Sequence, residues 1–261
     1  MNIIKLGGSV LTDKTQLATF KKEVMDELSK QLSSHTEQMI LIHGAGSFGH
    51  ITAEQYNLQS GFQDHSQLQG FSVTHALVQQ LNNYVLESLH KANIPAVSLP
   101  PHAILSLDNH KVDHLDYPLF KSYLDSNFVP VSFGDVALDK SLGFSICSGD
   151  LLIRHLCAHF KPEKIIFVID IDGLYTANPK THPEAELIEH TDSSGLSTIL
   201  TQADEHSDVT GGMQGKIESI LNLLDHTQEV YLVNGNHPER LKEILLGNTT
   251  ICTRIIGRGT A

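Results

Sequence analysis

Short apolar runs alternate with helical patterns along most of the chain. Residues 3–6 read as a buried strand that ends at Gly7-Gly8-Ser9. Residues 19–32 follow with Phe20, Val24, Leu28 and Leu32 at helical spacing. Residues 39–43 form a second apolar run, closed by Gly44-Ala45-Gly46, and residues 77–89 carry Leu77, Leu81, Val85 and Leu89 every fourth position. Further strands are predicted over 96–99, 128–132, 164–169, 230–233 and 250–256. Further helices are predicted over 151–160 and 212–224, and from Pro238, which opens a helix where a missing N–H matters least. The Gly-rich alternation over 134–149 predicts a hairpin.

Strands that are apolar on every position, each followed by a helix, predict an α/β fold with a mainly parallel sheet covered on both faces. One domain with two lobes is expected, with the strand-end glycine loops lining a ligand crevice.

Composition narrows the function. The chain of 261 residues carries 18 Lys plus Arg against 30 Asp plus Glu, a formal charge of −12. Such an acidic chain is a poor partner for nucleic acid or an anionic membrane. It can still hold a phosphate in a local basic pocket. Cys147, Cys157 and Cys252 are too few and too scattered for a disulfide framework or a zinc site, and read as small buried hydrophobes. The glycines at 7 and 8 interrupt the first apolar run, which argues against a signal peptide. The longest unbroken apolar run, 165–169, is far too short to span a membrane. A soluble, cytoplasmic protein is expected.

Chemistry concentrates in loops after predicted strands. Gly7-Gly8 lets backbone N–H groups approach an anion, with Lys5 at the strand end and Lys14 shortly after. The same residues also suit a plain tight turn with solvated lysines. His43-Gly44-Ala45-Gly46-Ser47-Phe48-Gly49-His50 matches the dinucleotide pattern G-x-G-x-x-G, though on the second strand and with only Asp64 as a loose acidic partner. Phosphate binding at the following helix start needs no nicotinamide. His50 is expected in that helix's first turn. The segment 208–216 ends in Gly211-Gly212-Met213-Gln214-Gly215-Lys216 and is not a Walker loop, because Ile217 stands where Ser or Thr is required. Lys216 near a helix start is electrostatically awkward unless an anion joins it. Asp170 and Asp172 follow the central strand and suit a metal, a ribose or a loop cap. Asp150 opens a helix, either complementing its dipole or positioning the lysines.

Taken together, Lys5-Leu6-Gly7-Gly8-Ser9 with Lys14, the 43–50 loop, Ser148-Gly149-Asp150, and the segments 170–180, 208–216 and 233–240 resemble the amino acid kinase family. Within it they are most similar to the isopentenyl phosphate kinase branch, with fosfomycin kinase as a near relative that shares a histidine at His50. The resemblance implies a three-layer αβα sandwich of the carbamate kinase-like type, one domain over residues 1–261. Its first part, about 1–160, would hold the phosphate acceptor and its second, about 161–261, ATP. It implies that Lys5, Gly7, Gly8 and Ser9 approach the ATP phosphates. Lys216 would reach the transferring group, and Lys14 would stabilise the transition state, with Asp150 among the catalytic residues. Gly46, Asp170 and Gly212 would lie on the nucleotide, and Gly173 and Tyr175 near the adenosine. Ala45, Gly49, His50 and Gly149 would hold the acceptor phosphate. Phe71, Thr74, Val131 and Ile146 are expected around an apolar tail. The implied activity is ATP- and Mg²⁺-dependent conversion of isopentenyl phosphate to isopentenyl diphosphate, in a homodimer. A kinase of another small phosphate or phosphonate, a Rossmann-type oxidoreductase and a non-catalytic nucleotide sensor are the alternatives.

The chemistry suits the residues. Phosphoryl transfer spreads negative charge over the moving group, so cations and positioning supply most of the catalysis. A phosphate monoester, with a second pKa of about 6, arrives already ionised and needs no general base. The obstacle is repulsion between two anions, which a hydrogen-bond donor such as His50 offsets.

Overall fold

A computed structural model describes residues 1–179, 181–205 and 211–259, with the side chains of 201–205 and 211–214 excepted. Its strands are β1 (Asn2–Leu6), β2 (Met39–His43), β3 (Ala96–Ser98), β4 (Leu105–Asp108), β5 (Lys111–Leu115), β6 (Val129–Phe133), β7 (Asp135–Asp139), β8 (Gly143–Cys147), β9 (Lys164–Ile169), β10 (His190–Thr191), β11 (Glu229–Asn234) and β12 (Thr253–Ile256). Its helices are α1 (Gly8–Leu11), α2 (Lys22–Leu32), α3 (Gly46–Gln55), α4 (Ser66–Lys91), α5 (Pro101–Ile104), α6 (Tyr117–Asp125), α7 (Gly149–Phe160), α8 (Ser193–Glu205), α9 (Gly211–Leu221) and α10 (Pro238–Leu246).

Eight strands form the main sheet in the order β10-β12-β11-β9-β1-β2-β6-β3. All neighbours are parallel except β11 and β12. The apolar strands explain the layering. Successive side chains point to opposite faces, so Ile3 and Phe167 join one core with α6, α7 and α9, while Ile4, Leu6 and Val168 join another with α2, α4 and α10. Both faces are covered, and the fold is the expected αβα sandwich.

The hairpin expected over 134–149 is β7 and β8, paired antiparallel. It belongs to a second, four-stranded sheet, β5-β4-β7-β8, whose first two strands carry no clear alternation in the sequence. Asp139 binds the two hairpins together. Its carboxylate accepts the N–H groups of Asn109 and His110, both left-handed at the β4–β5 turn, and of Ser141 and Leu142 at the other turn. Burial alone would raise its pKa, but these donors and the Ser145 hydroxyl hold it down to about 2. A carboxyl depressed in the folded state stabilises fully above its unfolded pKa, and that contribution disappears as the pH falls from about 4 towards 2. Asp139→Asn is expected to lower Tm at neutral pH by about 5 °C and to flatten the acid limb of the stability curve in the pH 4–2 window. Thermal melts across pH check both.

Two boundaries differ from the sequence reading. The α2 helix begins only at Lys22, because Phe20 pairs with Thr12 in an isolated bridge and stacks on Tyr84 at 5.3 Å. The α4 helix begins eleven residues before its apolar stripe, with polar Gln67 and Thr74 and the small Gly70 buried on that extension. Gln67 is held there by accepting the Gln63 N–H and donating to the Tyr56 and Asn57 carbonyls.

Candidate active site

The carboxyl ends of β1, β2, β6 and β9 open into a cleft of about 540 Å³. The chain leaves β1 towards β2 on one side and returns to β9 on the other, so the cleft lies where an open α/β sheet places its ligands.

Two glycine loops meet at its floor. A Cβ on Gly8 would lie 2.6 Å from the Gly46 nitrogen, and Gly46 itself holds a left-handed φ of +51°. The backbones pass too closely for any side chain. Buried Thr12 clips them together: its hydroxyl donates to the Gly8 carbonyl at 2.7 Å and accepts the Ser47 N–H at 3.0 Å. Nothing in the sequence pattern singles out Thr12, because its role is set by a contact 35 residues away. Gly8→Ala is expected to force the loops apart, lowering stability by about 2 kcal/mol, which a thermal melt reads directly. The same contact gives Gly44 and Gly46 a reason to be glycine that owes nothing to a dinucleotide: a Cβ on Gly44 would lie 2.7 Å from the Gly8 nitrogen.

Lysines gather above the floor. Lys5, on the last turn of pleat in β1, is buried, and its Nζ pairs with Asp150 Oδ2 at 2.6 Å. The Nζ atoms of Lys5 and Lys216 stand 5.8 and 5.9 Å from the centroid of one ring, Phe167. Burial, then the charge of Lys5, lowers the Lys216 pKa to about 8, while Asp150 and Asp170 pull the other way. Lys14 is exposed at the rim, on a loop shaped by Asp13, whose carboxylate accepts the Thr15 N–H and hydroxyl. Asp150 sits in the first turn of α7, where Ser148 caps the helix by accepting the Leu151 N–H at 3.1 Å.

His50 faces the cleft from the second turn of α3, one turn later than expected, because the helix already starts at Gly46. Its ring is open to the cleft, yet burial first and the charges of Lys14 and Lys5 next hold its pKa below the usual histidine value. His43, at the end of β2, is fully buried and stacked on Phe133 at 5.0 Å, and burial lowers its pKa to about 4. It stays neutral and braces the loop, with Nδ1 3.1 Å from the Gly44 carbonyl and Nε2 facing the Asn82 carboxamide at 3.3 Å.

The cleft thus brings together Lys5, Gly7, Gly8, Ser9, Lys14, Ala45, Gly46, Gly49, His50, Thr74, Ile146, Gly149, Asp150, Asp170 and Lys216. Part of its lining is apolar, with Ala53, Val136 and Ile146 in one small cluster and Val78 and Cys147 as well; sequence reasoning missed all but Ile146 because nothing distinguishes them from core. The Thr74 hydroxyl donates to Thr52 Oγ1 at 2.8 Å, so it is satisfied within the wall. Other expected residues stand elsewhere. Val131 packs in the core beneath the sheet. Phe71 lies behind the wall, 5.3 Å from the Phe144 ring. Gly173 packs against Thr253 of β12, and Tyr175 forms a bridge with Leu187. Asp172 is taken up by Arg240 at 2.5 Å and Asn234 at 2.9 Å, an ion pair that shapes this second loop. Gly212 lies in α9, and residues 206–210 and Lys180 fall outside the described residues. All three cysteines are buried, as expected, and burial raises their thiol pKa values.

Comparison with known proteins follows the same outline. The model of the amino acid kinase family matches residues 1–234. The isopentenyl phosphate kinase of Methanothermobacter thermautotrophicus is 37% identical over 268 residues, covering 99% of this chain and all of its own. That of Thermoplasma acidophilum is 35% identical over 245 residues, covering 94% of this chain and 96% of its own. A crystal structure of isopentenyl phosphate kinase superposes with a TM-score of 0.84 at 35% identity, over 97% of this chain and 99% of that one.

Proposed function

The chain belongs to the amino acid kinase family, and from that premise we propose that it transfers the γ-phosphoryl group of ATP to isopentenyl phosphate, giving isopentenyl diphosphate. The observation that carries the reading is one cleft lined by three lysines, two of them over the Phe167 ring, by glycine loops, and by an apolar cluster of Ala53, Val136 and Ile146.

In this reading the amides of Gly8 and Ser9 receive the ATP phosphates, while the Gly7 N–H donates to the Val168 carbonyl at 2.8 Å and Gly7 only lets the backbone come close; Lys5 and Lys216 lie beside the γ-group and Lys14 over the rim. Gly46, Asp170 and Gly212 lie towards the nucleotide, with Gly173 and Tyr175 on the adenosine side. Ala45 and Gly149, at the starts of α3 and α7, where unpaired N–H groups favour an anion, receive the acceptor phosphate together with the His50 ring, and Gly49 contributes the space left by its missing side chain. Asp150 keeps the Lys5 ammonium in place through their ion pair. The apolar end, with Ile146 and Val136, takes the hydrocarbon tail and excludes water from it.

No carboxylate is needed as a base, since the acceptor oxygen is ionised at neutral pH. Of the carboxylates that line the cleft, Asp150 is engaged by Lys5 and Asp135 by His75. Mg²⁺ prefers a few carboxylate oxygens together with phosphates and water, and Asp150 and Asp170 provide such oxygens in the cleft. The ion would neutralise charge on the nucleotide phosphates. Homodimer formation is part of the proposal and is checked by sedimentation. Among the described residues no helix is long and apolar enough to cross a membrane.

The direct test is ADP release from ATP with isopentenyl phosphate, fosfomycin, carbamate or no acceptor. Release is expected to be fastest with isopentenyl phosphate. A preference for fosfomycin or carbamate would reassign the acceptor, and ATP binding without turnover on any of them would make the chain a nucleotide sensor.

A further inference from the structure

At the cleft wall, reaching from Asp135 outward, lies a cluster that phosphoryl transfer does not use. His75 on α4, His102 on α5 and Asp135 at the start of β7 each bring one donor atom to within 4.8 Å of the others. His75 Nδ1 stands 2.8 Å from Asp135 Oδ2, and His102 Nδ1 faces the same oxygen at 3.9 Å. The two rings meet edge to face with centroids 4.3 Å apart. The Asp135 carboxylate is wholly buried, and its other oxygen accepts the Val136 N–H at 2.8 Å. His75 is half-buried and His102 exposed, so the cluster opens to solvent on one side.

An ordinary ion pair accounts for His75 and Asp135 but not for His102. At 3.9 Å its Nδ1 is too far from the carboxylate for a hydrogen bond, yet it is aimed at the same oxygen. Around a tetrahedral ion with bonds of roughly 2.0–2.1 Å, ligand atoms sit about 3.3 Å apart. The two nitrogen–oxygen separations of 2.8 and 3.9 Å bracket that value and all three donor atoms lie within 4.8 Å of one another, so side-chain rotations that draw the two imidazoles together would complete the geometry.

We infer that His75, His102 and Asp135 form a binding site for one divalent transition-metal ion, with zinc the best fit and water filling the open side. Two imidazoles and one carboxylate select against Mg²⁺ and Ca²⁺, which prefer oxygen throughout. The site is therefore separate in kind from any ion carried by the nucleotide. Its three ligands come from three elements, so a bound ion ties α4 and α5 to β7. Asp135 also lines the cleft beside Val136, which places the ion directly behind the apolar end.

The experiment uses the untagged full chain, stripped with a chelator, and titrates Zn²⁺ by calorimetry in excess Mg²⁺. One tight zinc per chain is expected. His102→Ala, an exposed position where folding is not at issue, is expected to weaken it roughly 100-fold, as is His75→Ala. His114→Ala, an exposed histidine on β5, should leave it unchanged. Co²⁺ in place of zinc should give the intense visible bands of a four-coordinate ion in the unaltered chain and lose them in both ligand variants. Equal zinc affinity in the unaltered chain and His102→Ala overturns the inference. So does the absence of a stoichiometric site, or an equal loss in His114→Ala.

Discussion

Lys216→Met is expected to lower kcat by about 10³-fold while leaving the chain folded. The substitution keeps much of the side chain's length and apolar stem and removes only the charge. That charge sits beside Lys5 over one aromatic ring, in a place where burial has already lowered its pKa to about 8. An ammonium held so close to losing its proton is poorly stabilised without an anion and strongly stabilised with one. Its attraction to a phosphoryl group therefore grows as charge spreads over that group in the transition state, so kcat should fall more than KM rises. The pH profile gives an independent reading. In the free protein Lys216 loses its proton as the pH rises through about 8, so kcat/KM for ATP should fall above that point. Bound phosphates raise the pKa again, so kcat should stay flat to higher pH. In Lys216→Met the alkaline limb of kcat/KM near pH 8 should be gone. If it persists, another group titrates there and the assignment to Lys216 fails.

The legible part of this molecule is the part written in short runs. Five-residue strands such as Met39–His43 are buried at every position, with four apolar residues in a row before His43, because helices cover both faces, and that run reads directly as a parallel sheet. Gly7-Gly8 and Gly44-Ala45-Gly46 are legible as loops at strand ends. That they touch each other is not, since it depends on strands β1 and β2 lying side by side. The same limit applies to Thr12, to Phe167 under the two lysines, and to Asp135 with its histidines: each acts through a partner far away in sequence. Polar residues buried inside elements hide them too, as Gln67 and Thr74 do at the start of α4. Phe71 and Val131 were expected around the tail because they are apolar and lie in the right segments. Apolar character alone does not separate a pocket lining from the layer behind it, and here Val136 and Val78 take the position nearer the cleft.

Replacing His50 separates donation of a hydrogen bond from proton transfer. His50→Ala is expected to reduce kcat/KM for isopentenyl phosphate about 100-fold, the scale of a hydrogen bond to a charged group in a confined site. His50→Gln still offers an N–H from the same helix turn and should retain most of what alanine loses. Burial, then the charges of Lys14 and Lys5, lower the His50 pKa, which favours an uncharged ring with one N–H in the free protein, and that N–H is enough to donate to the acceptor phosphate. The acidic side of the profile then belongs to the substrate. As the pH falls through about 6 the acceptor phosphate takes up a proton and its oxygen becomes a weaker nucleophile. That limb should appear unchanged in His50→Gln, because the titrating group is not on the protein. If His50 instead acted as a base, the glutamine variant would be as impaired as the alanine one. The two variants measured from pH 5 to 8 therefore decide whether an anionic acceptor, held by a neutral donor, is sufficient for the attack.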